Sequence, residues 1–181
     1  MVGLRSDAAR NRGRILDAAR DLAARGESLA LNAVARAADV GVGTVYRHFA
    51  TVEELEETLV WERFDDLAEI LDGAGPTQLE RVLAAIFTLL AEDALFEKVT
   101  GRPEPVLEQT ATVRNSLTDQ LADVLSQTRA EGTLRDEIDA AGVLLLMCGL
   151  AHAVRTAGLG AASPQAQLLL RVVFDGMRPA D

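Results

Sequence analysis

The chain has 181 residues, of which 49% are hydrophobic but only 4% aromatic, and a formal net charge of −10. That size supports an aliphatic core, and the lone cysteine, Cys148, excludes an internal disulfide and a multi-cysteine zinc site. No apolar run reaches the roughly 18 residues of a membrane span, and the N-terminal segment is charged and amphipathic, unlike a signal peptide, so a soluble cytoplasmic protein in a reducing compartment is expected.

No run of alternating β-branched residues occurs, and Ala, Leu, Arg and Glu dominate, which predicts an all-α protein. A first helix is expected over about 7–25, with Ile15, Ala19, Leu22 and Ala23 on one face and Gly26 as its stop. A second begins near Leu31 with Val34, Ala35 and Ala38 in register, a tight break follows at Asp39-Val40-Gly41, and a short third helix covers Val42 to His48. Thr51-Val52-Glu53-Glu54 reads as a capping box opening a long fourth helix that reaches about Leu71. After the break at 72–75, Pro76 suits the first turn of a fifth helix, with Leu79, Val82, Leu83, Ile86 and Leu90 on its apolar face. A short helix is expected over 93–99, a proline loop at 101–105, and a long helix over about 104–131 ended by Gly132. Asp136 or Asp139 caps the next helix, which runs to about Ala157, and Ser163-Pro164 opens the last, which runs to about Met177. That makes about nine helices.

The final two helices are apolar around more than one face, as in Val143 to Met147 and in Leu168-Leu169-Leu170 with Val172-Val173-Phe174. A helix that is apolar on every side is buried on every side, so one face is expected to meet the core and another a second copy of the chain.

Charge is unevenly spread. Residues 1–50 hold eight arginines against five acids, a net of +3, which leaves −13 for residues 51–181. A basic first quarter on an acidic body suits contact with phosphate at one end only. Within that quarter, two short helices joined by a tight turn behind a supporting helix form a helix-turn-helix pattern over 31–49. Ala35 is small where the helices cross, Val40 and Val45 lock the second helix on the first, and Asp39 occupies the turn position that favours a left-handed residue. Thr44, Tyr46, Arg47 and His48 place a hydroxyl, a phenol, a guanidinium and an imidazole within five residues, donors suited to phosphate oxygens, and Arg47 also suits guanine. Gly41 and Gly43 allow close backbone approach.

The stretch Val34-Ala35-Arg36-Ala37-Ala38-Asp39-Val40-Gly41-Val42-Gly43-Thr44-Val45-Tyr46-Arg47-His48-Phe49 closely resembles the DNA-binding signature of the TetR family of transcriptional regulators, and Thr51 to Leu55 resembles the start of that family's fourth helix. The resemblance implies an N-terminal three-helix DNA-binding domain over 1–52 and a helical ligand-binding and dimerisation domain over 53–181. It implies that Val42, Gly43, Thr44 and Arg47 face bases or flanking phosphates, that Tyr46 and His48 hold phosphates, and that Arg36 and Thr51 also bind DNA. It further implies a homodimer joined through the last two helices, a double-stranded palindromic operator, and repression relieved by a small apolar effector whose effect travels through the fourth helix. Two positions depart from the family's pattern: Asp39 replaces a glycine, and Val52 stands where a phosphate-binding lysine is common. The arginines at 5, 10, 12 and 14 are read either as a compensating arm or as a solvated tail. In the ligand domain, polar residues on apolar faces are candidates for the pocket: Thr88, Gln109, Asn115, Cys148 and His152, with Trp61 and Phe64 as walls.

Other classes fit less well. Catalysis lacks a metal-binding histidine pattern, a glycine-rich phosphate loop and a nucleophile–base pair, so no enzyme, metal or cofactor is expected. A helical binding or scaffold protein with weakened DNA reading is the alternative, favoured by overall acidity and by Val52.

Overall fold

A computed structural model describes residues 2–179 of the protein, with side chains over 7–179, and Arg5 of the basic arm lies outside the described side chains. Every regular element among the described residues is helical: α1 (Val2–Ala24), α2 (Leu31–Ala37), α3 (Val42–His48), α4 (Val52–Leu59), α5 (Trp61–Leu71), a 3-10 turn (Pro76–Gln78), α6 (Leu79–Glu92), α7 (Ala94–Thr100), α8 (Glu108–Ala130), α9 (Ala140–Thr156) and α10 (Pro164–Met177). They fall into two compact units, the first ending at Trp61 and the second starting at Glu62. No helix among the described residues is long and apolar enough to cross a membrane.

The first unit is held by one apolar stripe. Ile15, Ala19 and Leu22 of α1, at helical spacing, meet Leu31, Val34 and Ala35 of α2, Val45 of α3 and Leu55 of α4, and all are buried. Gly26, at φ +68°, turns the chain after α1. Its amide donates to the Ala23 carbonyl at 2.9 Å, and the Glu27 amide donates to Leu22 at the same distance.

Four expectations about helix ends are corrected. The helix expected from Thr51 to Leu71 is broken: Val60, at φ −97° and ψ 8°, separates α4 from α5, so the described residues form ten α-helices rather than nine. Just before the break, the Thr58 hydroxyl donates to the Glu54 carbonyl at 2.8 Å, a back-bond that loosens and bends a helix. At the start of α4, Thr51 caps as expected, its Oγ1 accepting from the Glu54 amide at 3.2 Å. The Glu54 carboxylate, however, reaches one residue further back, accepting from the Ala50 amide at 2.7 Å. Pro76 opens a 3-10 turn ahead of α6, and α8 starts at Glu108 rather than near 104, because Pro103 and Pro105 hold their predecessors out of helical geometry.

In the second unit α6 lies along α9, α8 and α7 pack on the same pair, and α10 lies against α9. Leu83, Ile86, Phe87, Leu90, Phe96, Leu121, Leu125, Met147 and Leu170 form the aliphatic core. Side-chain caps fix three of these helices. Asp93 accepts from the Leu95 and Phe96 amides, Asp139 from Gly142 at 2.7 Å, and Ser163 from Ala166 at 3.3 Å. The far side of the α9–α10 pair is uncovered: Leu145 is 75% exposed and Val172 60%, with Leu146, Leu168 and Leu169 also exposed.

Candidate functional site

The turn between α2 and α3 sets the first site. Asp39 has φ +50°, the one left-handed non-glycine among the described residues. This geometry lets the Val40 amide reach the Ala35 carbonyl at 3.1 Å while the Asp39 amide donates to Arg36 at 3.2 Å, closing α2. Arg14 Nη2 on α1 donates to both the carbonyl and the carboxylate of Asp39, at 3.0 and 3.2 Å. The acid that departs from the family's glycine is therefore paired within the unit, and Arg14 is committed to holding the turn.

Val45 is fully buried and pins α3 to the unit. At helical spacing on the other side, Val42, Gly43, Tyr46 and Arg47 are exposed, Tyr46 by 51%, while Thr44 and His48 are half-buried. One helical face thus presents a phenol and a guanidinium beside a residue with no side chain. A Cβ added at Gly43 would enter open space, so the protein's own packing does not demand glycine there. Arg36 is exposed on α2, and exposed Thr51 spends its hydroxyl oxygen on the α4 cap. Arg12 lies over the Phe49 ring, 5.5 Å from its centroid, bracing the end of α3 against α1. Arg10 pairs with Asp7 at 3.1 Å. The described arginines of the basic arm are therefore helical and engaged, not a loose tail.

Two acids of α4, Glu56 and Glu57, are buried, and both take part in polar interactions. Their i, i+1 adjacency gave no signal of burial.

The second unit contains a cavity of about 250 Å³. Its wall is mainly apolar: Phe64, Leu67 and Leu71 of α5, Ile86 of α6, Leu117 and Leu121 of α8, and Ala141, Leu144, Leu145 and Cys148 of α9. One end is polar, formed by Thr100, Arg102, Arg114 and Thr118. Phe64 is held edge-on to Phe96, with ring centroids 5.2 Å apart. Burial pushes the Cys148 thiol up to about 11, the Glu97 carboxylate adds to the rise, and Arg114 opposes it.

Of the candidates for this pocket, the structure brings Phe64 and Cys148 to the wall and not the rest. Thr88 bonds its own helix at the Ala84 carbonyl, 2.9 Å away, and borders a shallow surface groove instead. Gln109 and Asn115 are exposed on α8. His152 is exposed, with Nδ1 3.6 Å from a carboxylate oxygen of Glu97, which also pairs closely with Arg155. Trp61 belongs to the first unit, and its Nε1 is buried without a hydrogen-bond partner. Thr100, Arg102 and Arg114 carried no signal in the sequence, because only the packing of α7, the loop after it and α8 brings them together.

Comparison with known proteins agrees with both units. Residues 15–58 match the family described as bacterial regulatory proteins of the tetR family, and residues 77–179 match the C-terminal domain of SbtR-like transcriptional regulators. The chain is 32% identical over 120 residues to the HTH-type transcriptional repressor KstR of Rhodococcus jostii (strain RHA1), a match spanning 63% of this chain but only 57% of that repressor. The fold is similar to that of the ketosteroid transcriptional regulator KstR2 of Mycobacterium tuberculosis, with a TM-score of 0.61, 22% identity, and coverage of 93% of this chain and 95% of that one. A TetR-family regulator of Streptomyces coelicolor A3 gives a TM-score of 0.62 at 21% identity, with 91% of each chain covered.

Proposed function

The chain belongs to the TetR family of bacterial regulatory proteins, and from that premise we propose that it is a homodimeric transcriptional repressor that leaves its operator when a small hydrophobic molecule enters the cavity of the second unit. DNA reading is assigned to residues 1–52, and ligand binding and dimerisation to 53–181. Val42, Gly43, Thr44 and Arg47 meet base edges and flanking phosphates, Tyr46 and His48 hold phosphates, and Arg36 and Thr51 lie at the margin of the contact.

One observation carries this reading. The face of α3 opposite buried Val45 is exposed, carries Tyr46 and Arg47, and includes a glycine that the protein's own packing does not require. A duplex that must approach the backbone gives a reason for it. The uncovered leucines and valine of α9 and α10 support pairing of two chains through that face. A two-fold dimer sets two copies of α3 roughly 34–36 Å apart, one turn of DNA, on a near-palindromic site. The cavity supports effector control, and an effector shifts the balance only by its differential affinity for the bound and released states.

The test is selection of bound fragments from the source genome, followed by a salt titration of the best fragment. A regulator enriches a near-palindromic sequence, and its affinity falls steeply with salt as counterions are released. A scaffold that has lost DNA reading enriches none at any salt.

A further inference from the structure

The cavity and the uncovered face of the second unit share a border on α9. Ala141, Leu144, Leu145 and Cys148 line the cavity, while Gly142, Leu146, Gly149 and Ala153 are exposed. At about 3.6 residues per turn these two stripes adjoin along the helix. Leu145 belongs to both: it lines the cavity, yet it is the most exposed large apolar side chain among the described residues. Ala141, one turn earlier, is likewise both lining and exposed. The wall is therefore unfinished along α9, where an apolar edge meets solvent instead of protein. An apolar occupant gains in proportion to the area it removes from water, so an open edge weakens its binding.

The charge pattern indicates what covers that edge. The chain carries 28 acidic residues, yet α9 has none and α10 only Asp175. A basic partner would be met by acids, which this face lacks. Two copies of an acidic chain, by contrast, repel least where neither presents acids. α10 adds exposed Leu168, Leu169 and Val172 to the uncovered side, and Gly149 has open space where a Cβ would stand, room for another helix to approach closely.

We propose that a second copy of the chain completes the cavity by sealing its edge at Ala141 and Leu145, so that an apolar ligand binds the dimer more tightly than the single chain and, by reciprocity, strengthens the dimer. This rests on reading the cavity as the effector site and the α9–α10 face as the dimer contact, and it couples the two.

The test uses N-phenyl-1-naphthylamine, an uncharged apolar fluorophore, with the full chain. Its fluorescence is titrated at protein concentrations where sedimentation shows dimers and, after dilution, single chains. The dimer should bind the probe about tenfold more tightly, and saturating probe should lower the dissociation constant of the dimer. Val172→Glu, on α10 and outside the cavity wall, should show the weaker affinity at concentrations where the wild type is dimeric. Leu144→Phe, which fills the cavity from α9, should remove the tight binding. Equal affinity of dimer and single chain overturns the proposal and leaves the dimer reading intact. A wild-type chain that sediments as a monomer at every concentration overturns both. Probe binding that is absent from the dimer, or untouched by Leu144→Phe, overturns the proposal together with the cavity as a site for apolar ligands.

Discussion

Asp39 offers the sharpest test of the turn that positions α3. At φ +50° it occupies a region that costs an L-residue about 1–2 kcal/mol relative to the right-handed helix, with Asp among the better tolerated. Glycine removes that cost but gains freedom in the unfolded chain, offsetting about 0.5–1 kcal/mol. The Arg14–Asp39 ion pair is solvent-exposed, so its loss is too small to change the sign, and the Arg14 bond to the backbone carbonyl survives any substitution. Asp39→Gly should therefore be neutral to slightly stabilising. Asp39→Ala keeps the Cβ, loses the carboxylate, and should be less stable than the glycine variant by about 1 kcal/mol. The only tryptophan, Trp61, lies in the first unit, so its fluorescence in a urea titration follows that unit. Equal midpoints for the alanine and glycine variants would show that position 39 carries no left-handed constraint, and the derivation of the turn would fail.

Other expectations follow from the second unit. Asp139→Ala removes the acceptor of the Gly142 amide and should destabilise the protein by about 1 kcal/mol in denaturant unfolding, with Asp139→Asn recovering most of it. The raised Cys148 thiol favours the protonated form in the folded state, so it contributes stability that is whole below about pH 9 and is lost as pH climbs toward 11. Cys148→Ala should show a shallower loss of stability across that window, and an unchanged slope would contradict the burial effect. Val172→Glu on the uncovered face of α10 should shift sedimentation from dimer toward monomer while the far-ultraviolet circular dichroism stays helical. A variant that sediments as wild type would place the dimer contact elsewhere.

The first unit was more legible in sequence than the second, for a physical reason. Its helices are short and bounded by local chemistry: Gly26, the Asp39 turn, Gly41 and the Thr51 cap each act within a few residues, so α2 and α3 follow from their neighbours alone. The cap at Ser163 was readable on the same ground, and that at Asp139 was one of the two read there, with Asp136. The break at Val60 was not, because the run from Thr51 to Leu71 contains neither glycine nor proline. The cavity was half legible. Phe64 and Cys148 stand out on their own helices, but Thr100, Arg102 and Arg114 meet only through packing of α7, the loop and α8, which no periodicity encodes. Conversely, Thr88 looked anomalous on an apolar face and proved to be satisfied by its own backbone.

The central claim is that the exposed face of α3 reads DNA, and footprinting on a genome-selected fragment with single substitutions on that face tests it most directly. Wild-type protein should protect two half-sites one helical turn apart. Arg47→Ala should relax base preference, by about 1–3 kcal/mol where the arginine contacts guanine, and Tyr46→Phe should weaken binding without altering the preferred sequence. Undiminished protection by an Arg47→Ala, Tyr46→Ala double variant would contradict the account.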